Sequence, residues 1–364
     1  MTSAAVRAMI LWLCFLSAIS ATAETWGEWA AEARKQHPLA GSFYWPRQGP
    51  MLTHSHREAI AYEGQVHLDE NEEGRLYRLI APDAHGLMRP PGVDIFLLGE
   101  VHDNPMHHRI RAWIIRNQPV PGALGAVVFE QVRGDQRPVL ERLQPKLGHA
   151  KSGVTADALL QALEWEKSGW PPAAIYRPLF DAVLGAGLPI YPGEPARGRV
   201  RALARGDTSA VGPGERARLR LDVPLPAPLA EALSAQLAAS HCGALPPRAI
   251  PRMAAAQRYR DASMADALLA AEQRHGSAIL IAGNGHVRAD RGVPWHIRQR
   301  KPHARVMSVV LAEVEDGKTD PAAYLPRDPE GKPAADLVIF TPRAKRGHPC
   351  ESFKKGAAPT PPRP

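Results

Sequence analysis

The sequence predicts an α/β fold with a central, mostly parallel sheet and helices on both faces. Three observations lead there. Short apolar runs ending near residues 98, 129, 191 and 282 have the length and composition of buried strands. Patterns of helical period separate them. Two of the runs end in a glycine turn followed at the same spacing by histidine, Gly99-Glu100-Val101-His102 and Gly283-Asn284-Gly285-His286. Polar residues just past such strands stand where open α/β sheets bind ligands.

Composition narrows the class. At 364 residues the chain can bury a large core in one domain or two, and a hydrophobic fraction of 45% is that of a globular protein. Thirty-six prolines against a 6% aromatic share predict many loops and long connections. The formal charge of +8 is carried by scattered arginines and lysines, without stacking or helix-turn-helix motifs, so nucleic acid is not expected as a partner. Propionates, anionic lipid or an acidic partner fit the charge.

Residues 1–23 read as a secretory signal peptide: Arg7, an apolar run over 8–19, and Ala21-Thr22-Ala23 as a small-x-small cleavage site. A mature chain starting near Glu24, periplasmic or secreted, is the expectation. Lipoprotein anchoring is the lesser alternative, because Leu13 ahead of Cys14 is a poor match to a lipid-attachment site. Without Cys14 the cysteines are Cys242 and Cys350, expected to pair in an oxidising compartment and tie the tail to the middle of the fold.

Residues 24–50, with Trp26, Trp29, Phe43, Tyr44 and Trp45, predict an ordered lead-in held on the core, and 64–80 a hairpin around Asn71 to Gly74. His54 and His56 read as surface residues at a helix start. The strand ending at Leu98 breaks at Gly99; Asn104 and Pro105 are N-cap and first-turn residues of a helix over about 106–118. A second strand, 125–130, ends in Glu130. The Glu100 to Glu130 interval suits one β-α-β unit, which predicts adjacent parallel strands and a shared crevice.

Helices are expected at about 135–144, 155–167 and 173–184, then a third strand at 188–191. The loop between the last two helices brings Trp165, Trp170 and Tyr176 close together. An insertion rich in helix follows, about 196–276, with helices at 229–239 and 247–275. Strands at 278–282, 306–311 and 337–340 complete the frame. The single domain is bounded at 24–353, with residues 354–364 a disordered tail.

The paired glycine-histidine turns carry the chemistry. His102, His286, Glu100 and Glu130 would converge from three strand ends, a donor set for a divalent metal such as zinc or manganese. Such a metal would activate water, with Glu100 or Glu130 as base; the plain alternative is hydrogen bonding that pins the loops. His107 and His108 stand in the first helical turn, where a neutral imidazole can ligate, one facing the site and the other solvent. Asp103 reads as a helix cap. Arg288 and Arg291 are free to meet propionates, or are plain surface charges. Trp165, Trp170 and Tyr176 line a flat apolar pocket or pack helix on helix, and tyrosinate is a known haem ligand.

Taken together, the run Leu97-Leu98-Gly99-Glu100-Val101-His102-Asp103-Asn104-Pro105 with His107-His108, Val127-Val128-Phe129-Glu130, Ser168-Gly169-Trp170-Pro171 with Tyr176, Ser240-His241-Cys242, Ala256-Gln257-Arg258 with Arg260-Asp261-Ala262, and Ile281 to Arg288 with Asp290 to Pro294 closely resemble the ChaN-like family, a haem-binding uptake branch of the Tiki superfamily. The resemblance covers about residues 68–353. It implies the Tiki and erythromycin-esterase-like α/β fold, haem handling in iron acquisition, and a cell-envelope location. It also implies that His102, His286, Glu100 and Glu130 are the pocket residues of a metal-dependent hydrolase signature. Two departures stand out: the export segment resembles a cleaved signal, and the third strand exits through Pro192-Gly193-Glu194-Pro195 where the family leads one to expect Asn.

The leading expectation is a periplasmic haem- or iron-compound-binding protein. Tyr176, His107 or His108 would ligate iron, Trp170 would face the ring, and Arg288 or Arg291 would answer the propionates. The alternatives are a metal-dependent, peptidase-like hydrolase using the histidines and glutamates, and a scaffold whose envelope transport partner docks on the basic surface. The sequence leaves the oligomeric state open, a homodimer being one of the alternatives.

Overall fold

The computed structural model describes residues 26–46, 64–67, 93–117, 124–147, 153–347 and 350. The segment read as a signal peptide, His54, His56, the expected turn around Asn71 and the carboxyl tail lie outside them. Helix α1 (Trp26–Arg34) and strands β1 (Ser42–Trp45) and β2 (Gly64–His67) form the lead-in. The frame runs β3 (Ile95–Leu98), α2 (Pro105–Arg116), β4 (Val127–Arg133), α3 (Arg137–Leu147), α4 (Ala156–Ala162), α5 (Ala173–Gly185) and β5 (Ile190–Glu194). Then come α6 (Arg197–Arg205), α7 (Pro213–Arg218), α8 (Ala227–Ser240), α9 (Ile250–His275), β6 (Ala278–Ile281), α10 (Val293–Arg300), β7 (Val306–Glu313) and β8 (Leu337–Thr341).

All eight strands join one sheet in the order β2-β1-β8-β7-β3-β6-β4-β5. The six from β3 to β8 are parallel, and β1 adds antiparallel to both β8 and β2. The aromatic lead-in is therefore strapped to the sheet edge. The expected adjacency of the strands ending at Glu100 and Glu130 needs correction, because β6 lies between them and pairs with both. A local β-α-β reading cannot see a strand inserted from residues 278–281. The shared crevice survives: β6 ends level with both strands, Leu98 and Phe129 each lying opposite Ile281.

Helices cover both faces because alternate residues of a strand point opposite ways. Phe129 stacks on Phe180 of α5 at 4.7 Å. Its neighbour Val128 turns the other way, and its Cγ1 and Met264 Cγ of α9 crowd Gly193 from 3.0 and 3.1 Å of where a Cβ would stand. Strand β3 is wholly buried at the centre. Residues 203–237 pack in two smaller apolar clusters, Leu203, Val211 and Leu219 against Tyr259 of α9, and Leu225, Leu233 and Leu237 against Trp295 of α10.

Asn104 caps α2, its side chain accepting from Met106 N at 2.9 Å, and Pro105 opens the helix. The capping role read for Asp103 is thus taken by its neighbour; Asp103 pairs with Arg346 at 3.0 Å. Cys242 and Cys350 form the expected disulfide. No helix among the described residues is long and apolar enough to cross a membrane.

Candidate functional site

The site lies just beyond the carboxyl ends of β3 and β6, where β4 passes them through Glu130 and Gln131. Gly99 must be glycine here, since a Cβ would stand 2.2 Å from Asn284 Oδ1. That close approach lets Asn284 donate to Leu311 O at 2.7 Å and latch the β6 loop onto β7. The turns after β3 and β6 then carry their polar residues over the sheet end in two adjoining networks.

The first is centred on Glu100, whose side chain has no exposed surface. It pairs with the Arg111 guanidinium and accepts at Oε1 from Tyr176 Oη (2.8 Å), Gln131 Nε2 (2.8 Å) and His102 Nδ1 (2.5 Å). Four donors require the ionised carboxylate, an acceptor only. Burial lowers the Arg111 pKa to about 10 and raises that of Tyr176. Arg111 reaches inward because it stands one helical turn after His107 and His108, on the same face of α2.

The second network surrounds Glu130 and His286. Glu130 Oε1 meets Arg260 at 2.7 Å and His286 Nε2 at 3.1 Å, while Oε2 accepts from Gly283 N at 2.7 Å. Asp261 faces the other ring nitrogen of His286 at 2.5 Å. Burial disfavours the imidazolium, but Glu130 and Asp261 outweigh it and hold the His286 pKa at about 10. Glu130, though desolvated, is held well below the usual carboxylate range by His286, His102 and Arg260. Arg260 also binds both oxygens of Glu194 at 2.8 Å, so the wall where Asn was expected is a carboxylate–guanidinium pair.

His102 joins the two networks. Its Nδ1 bond to the Glu100 carboxylate places the proton on that nitrogen and leaves Nε2 as the acceptor nitrogen. Nε2 has no hydrogen-bond partner among the described residues and lies over Gly283, where a Cβ would come within 2.9 Å of it. The His102 side chain is 37% exposed, against 0% for Glu100, 1% for Glu130 and 6% for His286. Burial, aided by His286 and Arg260, keeps its pKa below the ordinary imidazole value, so it is neutral at pH 7. The half-buried Trp170 ring covers it, with centroids 4.8 Å apart, and is fixed by its Nε1 bond to Gln131 O at 3.2 Å.

His102, His286, Glu100 and Glu130 are therefore brought together as the sequence predicts, but not as an open metal shell. Both carboxylates are closed by guanidinium groups, and among the described residues no group of three or more His, Cys, Asp or Glu side chains could hold a metal ion. Their expected role as free bases meets the same obstacle.

Other expectations move as well. Tyr176 is fully buried, its hydroxyl given to Glu100 and its ring set against Trp165 and His108. Neither His107 nor His108 faces solvent, and the one that points to the site, His108, stands 3.4 Å from Glu100 Oε2 as a buried part of its network. His107 accepts from Val101 N at 2.8 Å and meets Thr341 Oγ1 at 2.8 Å, and His108 binds His102 O at 2.9 Å and Arg111 at 2.6 Å. Arg288 chelates Asp290, and Arg291 spans Asp290 and Gln236. Neither guanidinium is free for a propionate. Sequence reasoning noted Glu194 only as a departure at the strand exit and did not assign Arg111, Gln131, Gln257, Arg260 or Asp261 to the site; the one available signal was the i, i+3, i+4 spacing of Gln257, Arg260 and Asp261 on one face of α9.

Fold and site define a class: a parallel α/β protein with a crevice at its strand ends, lined by a half-exposed neutral histidine and an indole. The chain belongs to the family described as haem-binding uptake, Tiki superfamily, ChaN, whose profile matches residues 90–297, more than half of its length. A solved structure described as cofacial heme binding to ChaN of Campylobacter jejuni has 17% identity, covers 76% of this chain and 92% of its own, and superposes with a TM-score of 0.51. The type III effector HopBA1 (12% identity, 69% and 88% coverage, TM-score 0.36) and an erythromycin esterase EreC mutant in its open conformation (13%, 79% and 83%, 0.32) are more distant in shape. No curated protein matches the chain.

Proposed function

We propose that this chain binds haem in iron uptake and that His102 offers the iron its ligand. The observation that carries the proposal is the Nε2, without a partner among the described residues, of a neutral, half-exposed imidazole whose Nδ1 proton is held by Glu100. A carboxylate behind a ligating histidine fixes the tautomer and raises its basicity. The site suits haem in two further ways: Trp170 gives the porphyrin a flat apolar face, and Gly283 clears the approach to Nε2. Bound haem would supply a coordinating iron centre. The protein's part is to hold the imidazole, keep it deprotonated and shelter one face of the ring. Membership of an uptake family supports a role in the periplasm, delivering haem to an envelope partner. Titration of the purified protein with haemin tests this: a saturable Soret band is expected, and its absence at micromolar protein rejects haem binding.

A second reading, hydrolysis, has one observation behind it. Neutral His102 backed by Glu100, with cationic His286 across Gly283, has the form of a general base beside an electrostatic stabiliser. On that reading the base is His102 rather than either glutamate. An activated ester turned over by wild type and not by His102→Ala would support it, and no turnover would reject it.

A further inference from the structure

The two arginines expected to meet the propionates are bound within the protein, but a different guanidinium cluster stands beside the Trp170 face. Strand β4 ends in Arg133, and the chain leaving β5 enters α6 directly with Arg197, Arg201 following one turn later. The ends of β4 and β5 are in contact: a Cβ on Gly134 would stand 3.6 Å from Glu194 O and 3.8 Å from Ala196 N. Arg133, Arg197 and Arg201 are thereby brought close enough that Arg133 and Arg201 add to the burial that lowers the Arg197 pKa.

The acids nearby neutralise only Arg133 of the three. Asp135 pairs with Arg133 Nε at 3.0 Å, and Glu194 is taken by Arg260. Arg201 is exposed and has no hydrogen-bond or ion-pair partner among the described residues. Arg197 uses one NH2 group, donated to Ser168 O, and so is anchored without being electrically satisfied. That anchor also places it. Ser168 Oγ accepts from Trp170 N at 3.1 Å, and the Trp170 ring covers His102. A surplus of positive charge therefore lies beside the loop that carries the indole.

We infer that Arg197 and Arg201, with Arg133 behind them, form the anchor for the carboxylates of the porphyrin edge. This rests on the haem reading above and deepens it. A porphyrin carries an apolar disc with both carboxylates on one side, so a ligand whose iron meets His102 and whose ring lies on Trp170 can turn that side toward the three guanidiniums. Charge-assisted guanidinium–carboxylate bonds then fix its orientation in the plane.

Two arms test the anchor. Wild type is titrated with haemin and with haemin dimethyl ester, whose carboxylates are masked, and the double variant Arg197→Ala/Arg201→Ala is titrated with both. Wild type should bind haemin about tenfold more tightly than the ester. The double variant should lose that preference while keeping the wild-type Soret position. Wild-type haemin affinity should also fall with added salt, and that of the double variant should not. Equal wild-type affinity for haemin and ester overturns the anchor without any substitution. A folded double variant that retains the preference overturns it too. A wild type that binds neither porphyrin overturns the haem reading itself, a distinguishable failure.

Discussion

Replacing Tyr176 by Phe separates a buried structural phenol from an iron ligand. The side chain is fully buried, and its hydroxyl donates to Glu100 Oε1 at 2.8 Å. Removing the oxygen takes one of four donors from a desolvated carboxylate while Arg111, Gln131 and His102 stay in place. A hydrogen bond to a charged group contributes about 1.5–3 kcal/mol, and the surviving donors hold the loss near the lower end, about 1–2 kcal/mol. The ring contacts with His108 and Trp165 are retained, so no cavity forms beyond the missing atom. Urea unfolding should show a lower midpoint at an unchanged slope. The ferric Soret band of the haemin complex should keep its position and its affinity to within a factor of about two. Unchanged stability together with a lost or shifted Soret band would refute the reasoning, because it would mean that the phenol leaves Glu100 to meet the iron.

Three further outcomes follow from the same geometry. Gly283→Ala puts a methyl group 2.9 Å from His102 Nε2, so haemin affinity should fall at least about tenfold while overpacking costs about 1–3 kcal/mol in urea unfolding. The raised His286 pKa stabilises the fold in full below the ordinary imidazole pKa of 6.5, and this contribution is lost as pH rises through about 10; Asp261→Asn should move the alkaline loss to lower pH in a urea–pH series. His296 is buried with neither ring nitrogen hydrogen-bonded among the described residues, and desolvation first, then Arg258 and Arg300, hold its pKa at about 3. Its neutral form therefore favours the fold above pH 6.5 and loses that advantage as pH falls toward 3, so His296→Phe should flatten the acid limb of the same series.

Most of the frame was legible because buried parallel strands are short and apolar, as residues 95–98, 127–129 and 278–281 are, and the first and last of these are also closed by glycine. The insertion of β6 between β3 and β4 was not, since strand order depends on contacts between residues about 150 apart. Convergence of Glu100, His102, Glu130 and His286 was legible from the repeated glycine-histidine spacing. Their roles were not, because those roles depend on which groups fill the space behind them. Arg111 and Arg260 on helices close both carboxylates, and Tyr176, His107 and His108 turn inward to hold His102 and its loop. Arginine in a helix reads in sequence as a solvated face. Only the packing of α2 and α9 on the sheet makes Arg111 and Arg260 counter-ions.

The account stands on the open nitrogen of His102. Haemin titration of His102→Ala beside wild type, with spectra of the ferric complexes, tests it most directly. The predicted result is a wild-type Soret band with the signature of nitrogen ligation, and in the variant a shifted band with affinity at least about tenfold weaker. A His102→Ala protein that binds haemin with the wild-type spectrum and affinity would contradict it.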